Sequence, residues 1–471
     1  MTDIAADGAE NAGAYAGEVA ARLDRLPYSK TLLKFVALIS LGGVFELYDL
    51  FMTAYITPGL TRPGGLFVTQ GPSFFSPHGI GFFVFSFFAG MWVGTMGFGF
   101  IADRLGRRSI FTVALVWYSL ATLVMAFQQT PEMVCLWRFI AAIGVGLEQI
   151  TIDTFLPELV PPKFRGRAFA LYQFIEFLIV PVVALLGWLL VPNTYFGLDG
   201  WRIVAIIGSV GALFAWVFRF GLPESPRWLA LHGHREKAEV IMRKIEAGCE
   251  KDIGGPLPEP VPVIEEMRAK STFAELFRPP YLKRTVVLSI FNLTQTIAFY
   301  GFGSWVPTLI ISKGILITKS LKYSFLIALA NPVGPLLGMF IADKMERKWQ
   351  LVSAGVLVGF FILLFALQTD PAMIIALGVA VTLANNWISF VFHGYQAEQY
   401  PTRIRARGVG FVYSWSRVSS ALNALMITFI LSRAGVPGVA SFIALAMVIM
   451  CGTVGVFGER TRNKSLEELS L

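Results

Sequence analysis

Long apolar runs alternate with short polar islands along the whole chain. Runs long enough to cross about 30 Å of hydrocarbon at about 1.5 Å per residue fall near 30–58, 80–101, 109–128, 132–157, 168–192 and 201–221. A polar stretch interrupts them, and six more follow near 284–312, 320–342, 350–368, 371–398, 407–432 and 437–457. The pattern predicts an all-α polytopic membrane protein of 12 transmembrane helices in two six-helix bundles. The expected domains are a disordered arm over 1–28, a first bundle over 29–221, a linker over 222–283, a second bundle over 284–457 and a tail over 458–471. In the linker, Ala238, Ile241, Met242 and Ile245 follow helical spacing, which predicts an amphipathic helix packed under the bundle.

Two polar islands of the first half return in the second. Gly99-Phe-Ile-Ala-Asp103-Arg104-Leu-Gly-Arg107-Arg108 is echoed by Met339-Phe-Ile-Ala-Asp343-Lys344-Met-Glu-Arg347-Lys348. Glu158, Pro161, Arg165 and Arg167 are echoed by Glu398, Pro401, Arg405 and Arg407. Both pairs keep an offset of 240 residues. A solenoid repeats every 20–50 residues or so, so this is a duplicated half-molecule and its islands are equivalent turns.

Composition agrees with the membrane reading. Hydrophobic residues make up 55% and charged residues 15%, against about 25% charged in soluble proteins. The net charge of +8 follows from topology: with both termini inside, 30 of the 39 Lys and Arg lie on the inner side. A multi-pass protein of the cell membrane with cytoplasmic termini is therefore expected, and nucleic acid is not its partner. The opening residues lack the basic segment of a signal peptide and carry Asp3 and Glu10. Cys135, Cys249 and Cys451 have neither disulfide nor metal spacing. No nucleophile constellation, metal cluster or phosphate loop is visible, so an enzyme, an ATP-driven pump, a cofactor and a metal are not expected.

Charges inside the spans carry the functional signal. Glu46 and Asp49 lie in the first span, Glu148 and Asp153 in the fourth and Glu176 in the fifth, against Arg138, Arg417 and the titratable His393. An unpaired charge near the bilayer centre costs about 2.5–3.5 kcal/mol on insertion scales. Pairing or protonation is the cheaper state for these groups. Asp49 is nine residues from the outer Pro58 and Arg138 seven from the outer Pro131. At about 1.5 Å per residue they sit at similar depths and are expected to meet.

The Asp103 and Glu158 turns, Gly200-Trp-Arg202, Pro223-Glu-Ser-Pro-Arg-Trp-Leu229 and the tail Glu459 to Glu468 together resemble the major facilitator superfamily. Within it the chain is similar to the sugar porters and the metabolite:proton symporters over about residues 30–470. The resemblance implies alternating access, a small-molecule substrate, a proton and function as a monomer in the bilayer. It also implies a gate latch built from Asp103, Arg104, Arg107, Arg108, Glu158, Arg165 and Arg167, repeated as Asp343, Lys344, Arg347, Glu398, Arg405 and Arg407. Tyr48-Asp49 resembles the Tyr-Asp of proton-linked sugar porters, and Trp137-Arg138-Phe the segment that partners it. Asp49 and Arg138 are thus the expected coupling pair, with Glu46 one turn earlier as the other acid able to hold the proton.

The substrate positions depart from the sugar pattern. Asn292-Leu293 and Ala298 stand where sugar porters carry Gln-Gln and Asn, and Val180 replaces a fifth-span Gln. His393 and Arg417 replace Trp in the tenth and eleventh spans, and His393 is offset from Asp153 by the same 240 residues. The expected substrate is an anionic or zwitterionic carboxylate met by His393, Arg417, Asp153, Glu148, Glu176, Asn292 and Gln295. A sugar or polyol porter, a uniporter and an antiporter stay open.

Overall fold

The computed structural model describes residues 15–69, 71, 73–218, 221–260, 272–336, 345–400 and 402–460; within these, side chains at 98–104, 153, 215–218, 402–403 and 406 are not described. The first half comprises α1 (15–24), α2 (Lys30–Leu60), α3 (Ile80–Leu105), α4 (Arg107–Ala126), α5 (Pro131–Leu159), α6 (Pro162–Phe177), α7 (Ile179–Leu190) and α8 (Gly200–Phe218). Between the halves lie α9 (Pro226–Leu231) and α10 (Arg235–Ile253). The second half comprises α11 (Tyr281–Gly303), α12 (Val306–Ser312), α13 (Ile317–Ala328), α14 beginning at 333–336, α15 (Arg347–Leu367), α16 (Pro371–Glu398) and α17 (Thr402–Phe457).

Nine stretches among the described residues have the length and hydropathy of a membrane span. The last holds two spans, because Gly435 (φ 61°, ψ −161°) breaks α17. With α8, and with α13 continued by α14, the number reaches twelve.

Proline explains where three apolar runs bend. It has no N–H to donate to the carbonyl four residues earlier, and its ring collides with that carbonyl. Helices α6, α11 and α13 stop at Phe177, Gly303 and Ala328, each four residues before Pro181, Pro307 or Pro332.

The repeat is present as atomic contacts. The Thr130 side chain caps α5 ahead of Pro131, and Asp370, 240 residues on, caps α16 ahead of Pro371. Arg107 pairs with Glu158, and Arg347 with Glu398. Arg165 Nε donates to the Val160 carbonyl at 3.2 Å, and Arg405 Nε to the Tyr400 carbonyl at 3.2 Å. The halves touch where α3 meets α17 and where α7 meets α13. At the face remote from α10, a Cβ on Gly81 would lie 2.0 Å from Thr428 Oγ1. Phe74 also meets Phe429 edge-on at 6.1 Å, so α3 and α17 are in close contact at this end.

The arm expected to be disordered is helical over 15–24, a correction for that part of it; residues 1–14 lie outside the described residues. Tyr15, Val19, Leu23 and Leu26 form an apolar stripe that packs with Phe35, Phe155, Trp228 and Met242. Arg22 donates to Glu239 and Glu246 at 2.6 Å each, and Arg25 to Glu246 at 2.6 Å. These bonds from Arg22 hold Glu239 well below the usual carboxylate range, at about 2. Burial pushes Glu246 up, but its bonds to Arg22 and Arg25 outweigh burial and leave it lowered.

A carboxylate depressed on folding stabilises above its unfolded value and loses that contribution as pH falls toward the folded one. Helix α1 is therefore expected to stay docked on α10 at neutral pH and to loosen on acidification from about 4.5 toward about 2. Hydrogen exchange of residues 15–24 checks this, and protection unchanged across that window contradicts it.

Candidate functional site

Helices α2, α4 and α5 converge on Asp49. Arg138 Nη1 donates to Asp49 Oδ2 at 2.8 Å, while Nη2 donates to the Asp49 carbonyl at 2.6 Å and to the Thr53 hydroxyl at 2.5 Å. The Thr122 hydroxyl donates to Asp49 Oδ1 at 3.2 Å. Phe87 and Phe83 of α3 cover the guanidinium with ring centroids at 4.2 and 5.8 Å. Arg138 is 0% and Asp49 3% exposed, so little water screens the pair.

Close backbone approach brings α3 to this pair. A Cβ on Gly90 would lie 2.3 Å from the Phe139 carbonyl oxygen, and one on Gly94 2.1 Å from that of Ile143. One on Gly146 would lie 2.3 Å from the Met91 oxygen. The spacing Gly90-x-x-x-Gly94 is a small-residue helix-packing pattern legible in the sequence. Tyr48 faces elsewhere: its hydroxyl donates to the Val204 carbonyl at 2.7 Å.

A second centre forms around Arg417, 1% exposed on α17. Nη1 donates to the Tyr300 hydroxyl at 3.1 Å, and Nη2 to the Tyr413 hydroxyl at 3.0 Å and to Gln149 Oε1. Among the described residues its Nε–H has no acceptor. Glu46, 4% exposed on α2, acts on Arg417 through longer-range attraction. His393 is exposed, yet lies beside Phe392 at 3.9 Å and Tyr413 at 5.8 Å and within electrostatic reach of Arg417.

The other expected substrate residues are placed on α5, α6 and α11. Asn292 is fully buried and donates to the Leu288 carbonyl at 2.9 Å and to Gln396 Oε1 at 3.3 Å, stitching α11 to α16. Gln295 is buried on α11, Glu148 is fully buried on α5, and Glu176 is half-buried near the end of α6. The Asp153 side chain lies outside the described residues.

A narrow cleft of about 30 Å³ lies between α2, α11, α13 and α16, with Tyr55, Phe299, Ser324, Asn331, Thr382 and Asn385 on its wall. The sequence reading passed over Gln149, Tyr300, Asn331 and Asn385. Their signal is weak, because a neutral amide or phenol in an apolar helix stands out far less than a charge.

Of the latch residues, Arg107 Nε reaches Glu158 Oε1 at 3.3 Å. The backbone N–H groups of Arg107 and Arg108 donate to Glu224 Oε1 at 3.0 and 3.1 Å, so Glu224 caps α4. Gly106 makes that turn with φ of 93°, and a Cβ on it would lie 2.6 Å from Glu224 Oε2. Arg167 and Arg407 are exposed. The side chains of Asp103 and Arg104, and all of Asp343 and Lys344, lie outside the described residues.

Similarity to known proteins fits this architecture. The family described as "Sugar (and other) transporter" matches residues 35–471. A putative metabolite transport protein YyaJ of Bacillus subtilis is 30% identical over 447 residues, covering 94% of this chain and 96% of that protein. The niacin transporter NiaP of Acinetobacter baylyi is 25% identical over 461 residues, covering 96% of this chain and 100% of that protein. In fold, the partially occluded inward-open xylose transporter XylE from E. coli superposes with a TM-score of 0.75 at 18% identity, covering 93% of this chain and 100% of that one. This chain belongs to the sugar (and other) transporter family of the major facilitator superfamily, and it is a membrane transporter of a metabolite or sugar.

Proposed function

We propose that this protein is a proton-coupled symporter of a small organic carboxylate, working by alternating access with both termini in the cytoplasm. The observation that carries the substrate class is Arg417. It is a buried guanidinium whose hydrogen-bond partners, Tyr300, Tyr413 and Gln149, are all neutral. Among the described residues no carboxylate is hydrogen-bonded to this cation, and Glu46 attracts it from farther off, so an anionic group gains a charge-assisted bond there. The similarity to a niacin transporter supports this class, since niacin is an aromatic carboxylate. Asp49, neutralised by Arg138, is the coupling acid in this reading, and Glu46 is the acid that answers to Arg417. His393, within electrostatic reach of Arg417, assists the anion. The Arg107–Glu158 and Arg347–Glu398 pairs act on switching between states, and the segment 222–283 links the two bundles. One chain is sufficient for transport.

A sugar or polyol is the second reading, favoured by the cleft lined with Ser324, Asn331, Thr382 and Asn385, whose amides and hydroxyls suit neutral hydroxyl groups. A binding screen of carboxylates, sugars and polyols on purified protein separates the two, and uptake into vesicles with and without a protonophore tests coupling. Arg417→Gln is expected to weaken carboxylate binding about tenfold or more, the scale of one hydrogen bond to a charged group. Detergent elution should not change. A neutral hexose as the sole ligand, or unchanged carboxylate affinity in Arg417→Gln, ends the carboxylate reading.

A further inference from the structure

Arg417 is held from both halves of the molecule. Tyr300 of α11 and Tyr413 of α17 belong to its own half, whereas Gln149 comes across from α5. Phe88 of α3 packs on Tyr300 with ring centroids 4.7 Å apart, so a second contact between the halves adjoins the first.

Helix α5 carries two neighbouring residues able to answer a cation at this depth, Glu148 and Gln149. Successive residues of an α-helix point about 100° apart, so only one of them faces Arg417 squarely. The one that bonds is the amide. That choice keeps a carboxylate out of hydrogen-bond contact with the guanidinium on the α5 side. An amide oxygen satisfies an N–H and orients the guanidinium without cancelling it, whereas a carboxylate in the same place would form an internal ion pair and leave little for a ligand.

We infer that Gln149 is the positioning residue that sets charge selectivity at Arg417. Its amide orients the guanidinium in the empty carrier, and the carboxylate of the substrate replaces it. Loading then removes the hydrogen bond between α5 and α17, so that substrate binding itself loosens one tie between the halves. This inference rests on the carboxylate reading above.

The test uses the full-length purified protein as wild type, Gln149→Glu, Gln149→Ala and Arg417→Gln. Nicotinate and benzoate serve as anionic probes, with nicotinamide and benzamide as their neutral counterparts. Gln149→Glu is expected to lower the preference for carboxylate over amide about tenfold or more, because the introduced acid occupies the cation. Gln149→Ala, also neutral, keeps the preference. A residue with only a packing role would lower binding of acid and amide alike, so the ratio discriminates. An unchanged ratio in Gln149→Glu, with carboxylate binding lost in Arg417→Gln, overturns this inference alone. Carboxylate binding surviving in Arg417→Gln, or wild-type protein that binds neither acid, overturns the carboxylate reading and this inference with it.

Discussion

Asp49→Asn is expected to abolish substrate accumulation driven by a pH gradient, down to the level of vesicles without the protein, while exchange of labelled for unlabelled substrate continues. Asp49 accepts from Arg138 at 2.8 Å and from Thr122 at 3.2 Å, at a place where both charged residues are sealed from water. Protonating Asp49 removes the negative charge that balances Arg138, so the two protonation states differ in the electrostatic tie between α2 and α5. Asn copies the protonated shape permanently. Exchange requires only that the loaded carrier move between its two faces, which needs no proton release. Net accumulation requires the proton to leave on the far side, and an amide has none to give. Glu46→Gln, one turn away, is the control and should keep more gradient-driven uptake. Accumulation surviving in Asp49→Asn would move the coupling role to Glu46, Glu148 or Asp153.

That Asp49 and Arg138 meet is legible from the resemblance to sugar porters and from depth, because helical rise converts position in a span directly into height in the membrane. Hydrophobic runs set the spans for the same reason, and the 240-residue repeat returned as matched ion pairs and caps. Contacts across the halves were not legible. Gln149 and Arg417 are 268 residues apart, and their bond depends on how the bundles approach, which no local pattern encodes. Glu224 lies inside the Pro223-to-Leu229 motif that carries the family resemblance, yet its task, capping α4 117 residues earlier, is visible only once the turn at Gly106 is folded. Helix α1 was missed because alanines and glycines dilute the stripe of Tyr15, Val19, Leu23 and Leu26. Asn292 is expected at the substrate from its place in the sugar-porter pattern, and the structure adds that its Nδ2 donates to Leu288 and Gln396 while its Oδ1 has no acceptor role among the described residues.

Gly94→Val is expected to destabilise the protein by about 3 kcal/mol or more, beyond the usual cost of overpacking, because the obstacle is backbone. The Cβ would lie 2.1 Å from the Ile143 carbonyl oxygen, an atom fixed by the α5 helix itself. Side chains can rotate away from such a collision, but a helical carbonyl cannot, so α3 must move off α5. No hydrophobic force opposes that separation inside a bilayer, since lipid is as apolar as the helix faces, and close packing is what holds them together. Displacing α3 also carries Phe87 and Phe83 away from Arg138, which unseats the aromatic cover of the Asp49–Arg138 pair. Gly97→Val on the same helix is the matched control, because among the described residues a Cβ there meets nothing within 4 Å. Thermal unfolding in detergent reads the difference: Gly97→Val should melt near wild type and Gly94→Val far below it. Equal melting temperatures for the two variants would show that the α3 and α5 contact does not limit stability.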